Sequence, residues 1–183
     1  MRWSGRFFLA SIILIAALRG PAYQVTSSKQ EKTAKELLTL SPEEEKESYE
    51  IYSAVLRARE PRISSWMIIQ ETRGFEFCTK PSHDQEAIYR PMIDDYVQKN
   101  RKTLLLARKF DLPEYTFVTP EEWTRSTKGR SIAAVSALGF NFDRTRAAVC
   151  LWAGSSGMCV TLVKRGTWEI DKDFRGEACG WAA

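Results

Sequence analysis

The apolar pattern is densest between residues 131 and 174, where four short runs alternate with turn residues. They read SIAAVSALGFN, AAVCLWA, MCVTLVK and TWEIDKDF, and the breaks fall at 141–145, 154–157 and 165–166. Short β-branched and aromatic runs bounded by Gly, Ser, Asn and Asp predict an antiparallel meander.

The central break also bears on two cysteines. Gly154-Ser155 suits the centre of a type II′ turn, because glycine takes the first position at positive φ without steric cost. That register opposes Ala153 to Ser156, Leu151 to Met158, Cys150 to Cys159 and Val149 to Val160. Cys150 and Cys159 then share a non-hydrogen-bonded rung, with Cα atoms about 4.5 Å apart, inside the span a disulfide tolerates. A longer loop over 154–157 would set them on a diagonal of about 7–8 Å, too far to bridge comfortably. The shorter turn is the favoured register.

The same alternation places Val149, Leu151, Met158, Val160 and Leu162 on one face of the hairpin. Trp152, Thr161 and Val163 fall on the other, and Trp168 and Ile170 of the last strand are expected to extend that second face. Strands apolar on both sides need cover on both sides. Helices can cover one, so Trp152, Val163, Trp168 and Ile170 form the candidate binding face.

Upstream the pattern turns helical. Ser41-Pro42-Glu43-Glu44 carries Ser at the N-cap, Pro at N1 and Glu at N3, a capping box with acids at the positive end of the dipole. Tyr49, Tyr52, Val55 and Leu56 recur at helical spacing until Glu60-Pro61 stops them. Residues 63–72 predict a strand and 75–78 a second short one. A helix is expected from Ser82 to Asn100 with a break or kink at Pro91. Residues 104–110 fit helix or strand equally, and 115–118 read as a strand. Thr119-Pro120-Glu121-Glu122 repeats the cap ahead of a brief helix carrying Trp123. Residues 125–130 are a basic loop.

Residues 1–22 change the charge picture. Arg2 and Arg6 precede an uncharged apolar run over 7–18, and Gly20-Pro21-Ala22 offers small residues before a cut. This predicts a secretory signal peptide, since a spanning helix needs about 20 apolar residues. An uncleaved N-terminal anchor tethering the chain to a membrane is the alternative. Loss of Arg2, Arg6 and Arg19 lowers the formal net charge from +4 to +1. That near-neutral remainder leaves no electrostatic footprint for nucleic acid. Residues 23–40 read as a polar leader, helical toward 34–40, and 41–183 as one α+β domain.

Cys78, Cys150, Cys159 and Cys179 all follow the predicted cut. An even count in an exported chain favours disulfides, and four cysteines allow three connectivities. With Cys150 and Cys159 joined, Cys78 pairs with Cys179. That long loop contributes on the order of 2–4 kcal/mol, more than the hairpin bridge.

Catalytic patterns are sparse. His83 is the only histidine, placed in the first turn of a helix, and no serine sits in a GxSxG elbow. The cysteine spacings contain no CxxC knuckle for zinc. Residues 154–157 lack the lysine of a phosphate loop. Carboxylates such as Glu71 and Glu169 could pair only through the fold. No cofactor or metal is expected.

The run Ser136-Ala-Leu-Gly-Phe-Asn141, with Ala147-Ala-Val, Gly157-Met-Cys159-Val-Thr-Leu-Val-Lys164 and Trp168-Glu-Ile170, resembles a recurrent C-terminal block of uncharacterised exported bacterial proteins. Trp66 to Thr72 and the DDYVQKN segment from Asp94 to Asn100 are similar to the same group, so the likeness covers about half the chain in patches. The resemblance implies an exported globular domain, secreted or periplasmic, with no assigned activity.

The fold expectation is α+β, N-terminal helices followed by a curved antiparallel meander, similar to cystatin-like and nuclear-transport-factor-like folds. The expected function is a non-catalytic domain that binds a small apolar ligand or a partner protein, a second copy of itself included, through the apolar face. The alternative is a small envelope hydrolase using sheet-borne acids near Glu169 or Asp171.

Overall fold

Ser41 starts the first helix as its sequence predicts: Ser41 Oγ accepts the Glu44 amide at 3.2 Å. The Glu44 carboxylate does not return to the cap but takes Lys99 of another helix. Helix α1 (Pro42–Arg59) ends at Glu60, because Pro61 disfavours helical backbone in the residue before it. The computed structural model describes residues 35–125, 132–177 and 179–182. The predicted signal segment 1–22, leader residues 23–34 and most of the basic loop lie outside the described residues. Residues 35–40 are extended, where a helix was expected, and Leu37 bridges Thr103 in parallel.

Strand β1 (Trp66–Ile69) lies within the run predicted for it. Residues 75–78 form no strand; pairing comes just after them, between β2 (Lys80–Pro81) and β9 (Gly176–Glu177). A 3-10 turn (His83–Gln85) leads into α2 (Glu86–Lys99), which runs unbroken through Pro91. Proline forfeits one hydrogen bond to the residue four earlier. Pro91 and Ala87 are both exposed, so the freed carbonyl meets water. Residues 104–110 take neither regular form. β3 (Tyr115–Val118) follows, then α3 (Pro120–Arg125). The box at α3 is complete: Thr119 Oγ1 accepts the Glu122 amide at 3.2 Å and Glu122 Oε2 accepts the Thr119 amide at 2.8 Å.

The meander forms as β4 (Ile132–Val135), β5 (Gly139–Phe140), β6 (Arg146–Ala153), β7 (Ser156–Arg165) and β8 (Thr167–Ile170), with β10 (Gly180–Ala182) after it. Its pairings are antiparallel throughout. The sheet then continues from β4 to β1 and from β1 to β3 by parallel pairing, so it is mixed and not a meander alone. β4 and β5 share one edge of β6, and β8 and β10 share the far edge of β7.

Two helices cover the sheet. Tyr52, Val55 and Leu56 of α1 pack with Val149, Leu151, Val160 and Leu162. Tyr89, Met92 and Tyr96 of α2 pack with Ala148, Cys150 and Cys159 on the opposite face, together with Phe75 and Phe77. The class is α+β, helix on sheet on helix.

The segments Asp94 to Asn100 and Ser136 to Asn141, grouped by resemblance, meet in space. Asn100 clamps the Ala137 backbone, giving to its carbonyl and taking from its amide, both at 3.0 Å. Asp95 Oδ2 accepts the Phe140 amide at 2.8 Å. A Cβ on Gly139 would stand 2.2 Å from the Met92 carbonyl oxygen of α2. These residues fasten α2 to the strand that crosses beneath it.

Candidate functional site

The hairpin register follows from its turn. Gly154 has φ +64°, and Arg144 is the one non-glycine residue at positive φ among the described residues. Positive φ at the first centre position alone is the type II′ pattern. Every predicted pair is present, Cys150 opposite Cys159 included, with Cα atoms 4.0 Å apart. Both disulfides form, Cys150–Cys159 and Cys78–Cys179. No free cysteine exists among the described residues. Paired disulfides place the domain in an oxidising, non-cytoplasmic compartment. Among the described residues no helix is long and apolar enough to cross a membrane.

The four residues of the candidate face do not share a face. Gly166, at φ +82°, turns the chain alone, so Arg165 pairs with Thr167, Lys164 with Trp168 and Leu162 with Ile170. A two-residue turn would have set Trp168 opposite Val163. The one-residue difference sends Trp168 and Ile170 to the α1 face, because side-chain direction alternates along a strand. Trp168 is buried in the α1 core. Trp152 and Val163 remain on the α2 face. Trp152 is covered by Trp123 of α3, edge to face at 4.7 Å, and the Arg73 guanidinium lies over Trp123 at 5.6 Å. The second face is therefore packed where Trp152 stands.

Of the four, Ile170 stays open to solvent, at 47% exposure. It rims a groove of about 190 Å³ under the last turn of α1, lined by Val55, Ala58, Arg59, Leu151, Met158 and Val160. Arg59 gives one Nη hydrogen to Ser156 Oγ. Its Nε is buried without a hydrogen-bond partner among the described residues. Two larger grooves flank the other side of α1 and are edged by paired charges, Lys109 with Glu45 and Arg57 with Asp111. The groove at Ile170 combines apolar walls with a cation that has no acidic partner among the described residues.

Two of the acids considered for hydrolysis, Asp171 and Glu71, are engaged elsewhere. Asp171 is wholly buried and accepts Tyr89 Oη at 2.7 Å and Arg146 Nη1, while its Oδ1 accepts the Asp173 amide at 3.1 Å. Arg146 also lies over the Tyr89 ring at 5.0 Å. Glu71 pairs with Lys35 at 2.7 Å. Three strands, β4, β6 and β7, lie between β1 and β8, a lateral span on the order of 19 Å at about 4.8 Å per spacing. Glycosidase carboxylates stand about 5–9.5 Å apart. His83 is exposed in its 3-10 turn. The sequence signalled neither the groove nor Arg59, since both depend on where α1 stops over the sheet.

Burial also sets the titration of the tyrosines. Desolvation pushes Tyr96 up to about 12, and desolvation with the Asp171 hydrogen bond pushes Tyr89 up to about 12. Burial raises Tyr52 well above its ordinary value. A raised folded value means stability is complete below pH 10 and is lost as pH climbs through 12. For Tyr96 the loss is roughly 3 kcal/mol. An alkaline titration should therefore show tyrosinate absorbance rising together with loss of circular dichroism. Complete ionisation near pH 10 with the dichroism intact would refute this.

No family model, no curated protein and no solved structure matches the chain.

Proposed function

We propose that this chain is an exported, non-catalytic binding domain that takes a small apolar carboxylate into the groove beneath the end of α1. The observation that carries the reading is the half-exposed Ile170 in an apolar groove, with Arg59 beside it and no acid to pair it among the described residues. At about 190 Å³ the groove falls below the ~300–1,000 Å³ of sites for drug-sized ligands, which suits a short acyl chain. Arg59 also complements the negative end of α1, an effect worth about 0.3–1 kcal/mol. A charge-assisted hydrogen bond to a carboxylate contributes about 1.5–3 kcal/mol and so outweighs it. Export rests on the predicted signal segment, cleaved after Ala22. Intact mass of protein recovered from a secretion-competent host should show a mature chain beginning at Tyr23.

Calorimetric titration with octanoate tests the site. Octanoate should bind saturably, and Arg59→Gln should weaken it by roughly ten- to a hundredfold while octanol is unaffected. Ile170→Asp should abolish binding of both. Absence of saturable octanoate binding, or an Ile170→Asp variant that binds normally, would overturn the reading. Saturation by an apolar peptide and not by octanoate would assign the groove to a partner protein.

A further inference from the structure

Three cysteines lie in a row, on β6, on β7 and at the residue just before β10. Cys150 on β6 is directly opposite Cys159 on β7. On the other side of Cys159, the β10 register opposes Gly180 to Met158 and therefore Cys179 to Cys159. The Cys159 amide donates to the Cys179 carbonyl at 3.3 Å, so this is a hydrogen-bonded pair. Such pairs hold Cα atoms about 5.5 Å apart, near the centre of the range a disulfide spans. The Sγ atoms of Cys78, Cys159 and Cys179 all lie within 4.8 Å of one another. Cys159 thus has two cross-strand neighbours suited to bond it, and it is bonded to one.

The two disulfides differ in access. Cys150 and Cys159 are 0% and 4% exposed, whereas Cys78 and Cys179 are half-buried. A reductant from solvent meets the second pair and not the first. Thr79 Oγ1 sits 3.3 Å from Cys179 Sγ, where its hydroxyl can donate to a thiolate. That hydrogen bond favours the charged, nucleophilic form of Cys179.

We propose that the disulfides form one thiol–disulfide exchange unit, in which an external dithiol opens Cys78–Cys179 and the released Cys179 thiolate then attacks Cys159. In the first step the dithiol forms a mixed disulfide with the chain and leaves as its own disulfide. It is oxidised, and Cys78 and Cys179 are reduced to thiols and take up its protons. In the second step the Cys179–Cys159 bond forms and the Cys159–Cys150 bond breaks. The electron pair leaves on Cys150 Sγ, which takes up a proton in place of the one Cys179 lost. No net electrons move in that step. The product keeps β10 pinned to β7 and releases Cys78. Residues 75–78, whose Phe75 and Phe77 pack against α2, are then no longer stapled.

Limited reduction of the wild-type chain with dithiothreitol, followed by iodoacetamide and peptide mass spectrometry, tests the exchange. Among singly reduced molecules, roughly one in ten or more should carry Cys159 linked to Cys179 with Cys78 and Cys150 alkylated. That share corresponds to an isomer within about 1.4 kcal/mol of the native pairing. A smaller share, with Cys150–Cys159 intact and Cys78 and Cys179 alkylated, would overturn the proposal. A Cys78–Cys159 link in its place would overturn Cys179 as the nucleophile. A folded Cys78→Ser variant, which leaves Cys179 unpaired from the start, should show the Cys159–Cys179 link without any reductant.

Discussion

Asp171→Ala should lower the unfolding free energy by about 3–5 kcal/mol, the range for breaking a buried ion pair from one side. The carboxylate is fully enclosed and serves the Arg146 guanidinium, the Tyr89 hydroxyl and the Asp173 amide together. Its removal takes the shared acceptor from all three and leaves Arg146 its 3.1 Å bond to Tyr89 Oη, in a site only partly open to water. With a urea slope of about 2 kcal/mol/M, the midpoint should fall by about 2 M. Asp171→Asn keeps the shape and loses the charge, so its midpoint should lie between those of wild type and alanine. An alanine variant within about 1 kcal/mol of wild type would show that the network contributes little. If the pair serves specificity more than stability, replacing Arg146 and Asp171 together with apolar residues should recover much of the loss.

Gly139→Ala should be of comparable size, about 3 kcal/mol. Its Cβ would lie 2.2 Å from the Met92 carbonyl oxygen, 2.4 Å from the Tyr96 amide nitrogen and 2.5 Å from Tyr96 Cβ. These are atoms of the α2 backbone and its immediate branch, so no side-chain rotation can relieve the overlap. α2 would have to lift from the sheet, against the Asn100 clamp on Ala137 and the Asp95 bond to Phe140. Overpacking usually costs about 1–3 kcal/mol, and a rigid neighbour sets this site at the upper end. The melting temperature should fall by roughly 6–12 °C. A fall under 2 °C would mean that α2 shifts freely on β5.

Gly139 also shows where sequence stops being readable. Its neighbours in the chain mark a strand, but nothing local shows that a helix some 40 residues upstream crosses within contact of its Cα. The Gly154-Ser155 hairpin is the opposite case. Its register, its turn type and the Cys150–Cys159 bridge all follow from two adjacent residues, because a tight turn fixes the pairing outward from itself. The next turn misleads for the same reason. Residues 165–166 look like a two-residue connection, yet Gly166 turns alone, and that slip carries Trp168 and Ile170 to the other side of the sheet. The α3 box and the Ser41 cap are local and legible. Lys99 as the partner of Glu44 is not, nor is the groove at Arg59. Both depend on elements that meet only in the folded chain.

The parallel pairing of β1 bears on how the chain reaches this fold. Trp66 pairs with Tyr115, and Met67 with Ile132, at separations of 49 and 65 residues. No hairpin can nucleate such contacts, and the loop entropy is spent before they form, which slows folding. β1, which lies between β4 and the edge strand β3, cannot pair until partners so far downstream have been synthesised. For a chain exported as proposed, that delay would keep the polypeptide threadable until it has crossed the membrane.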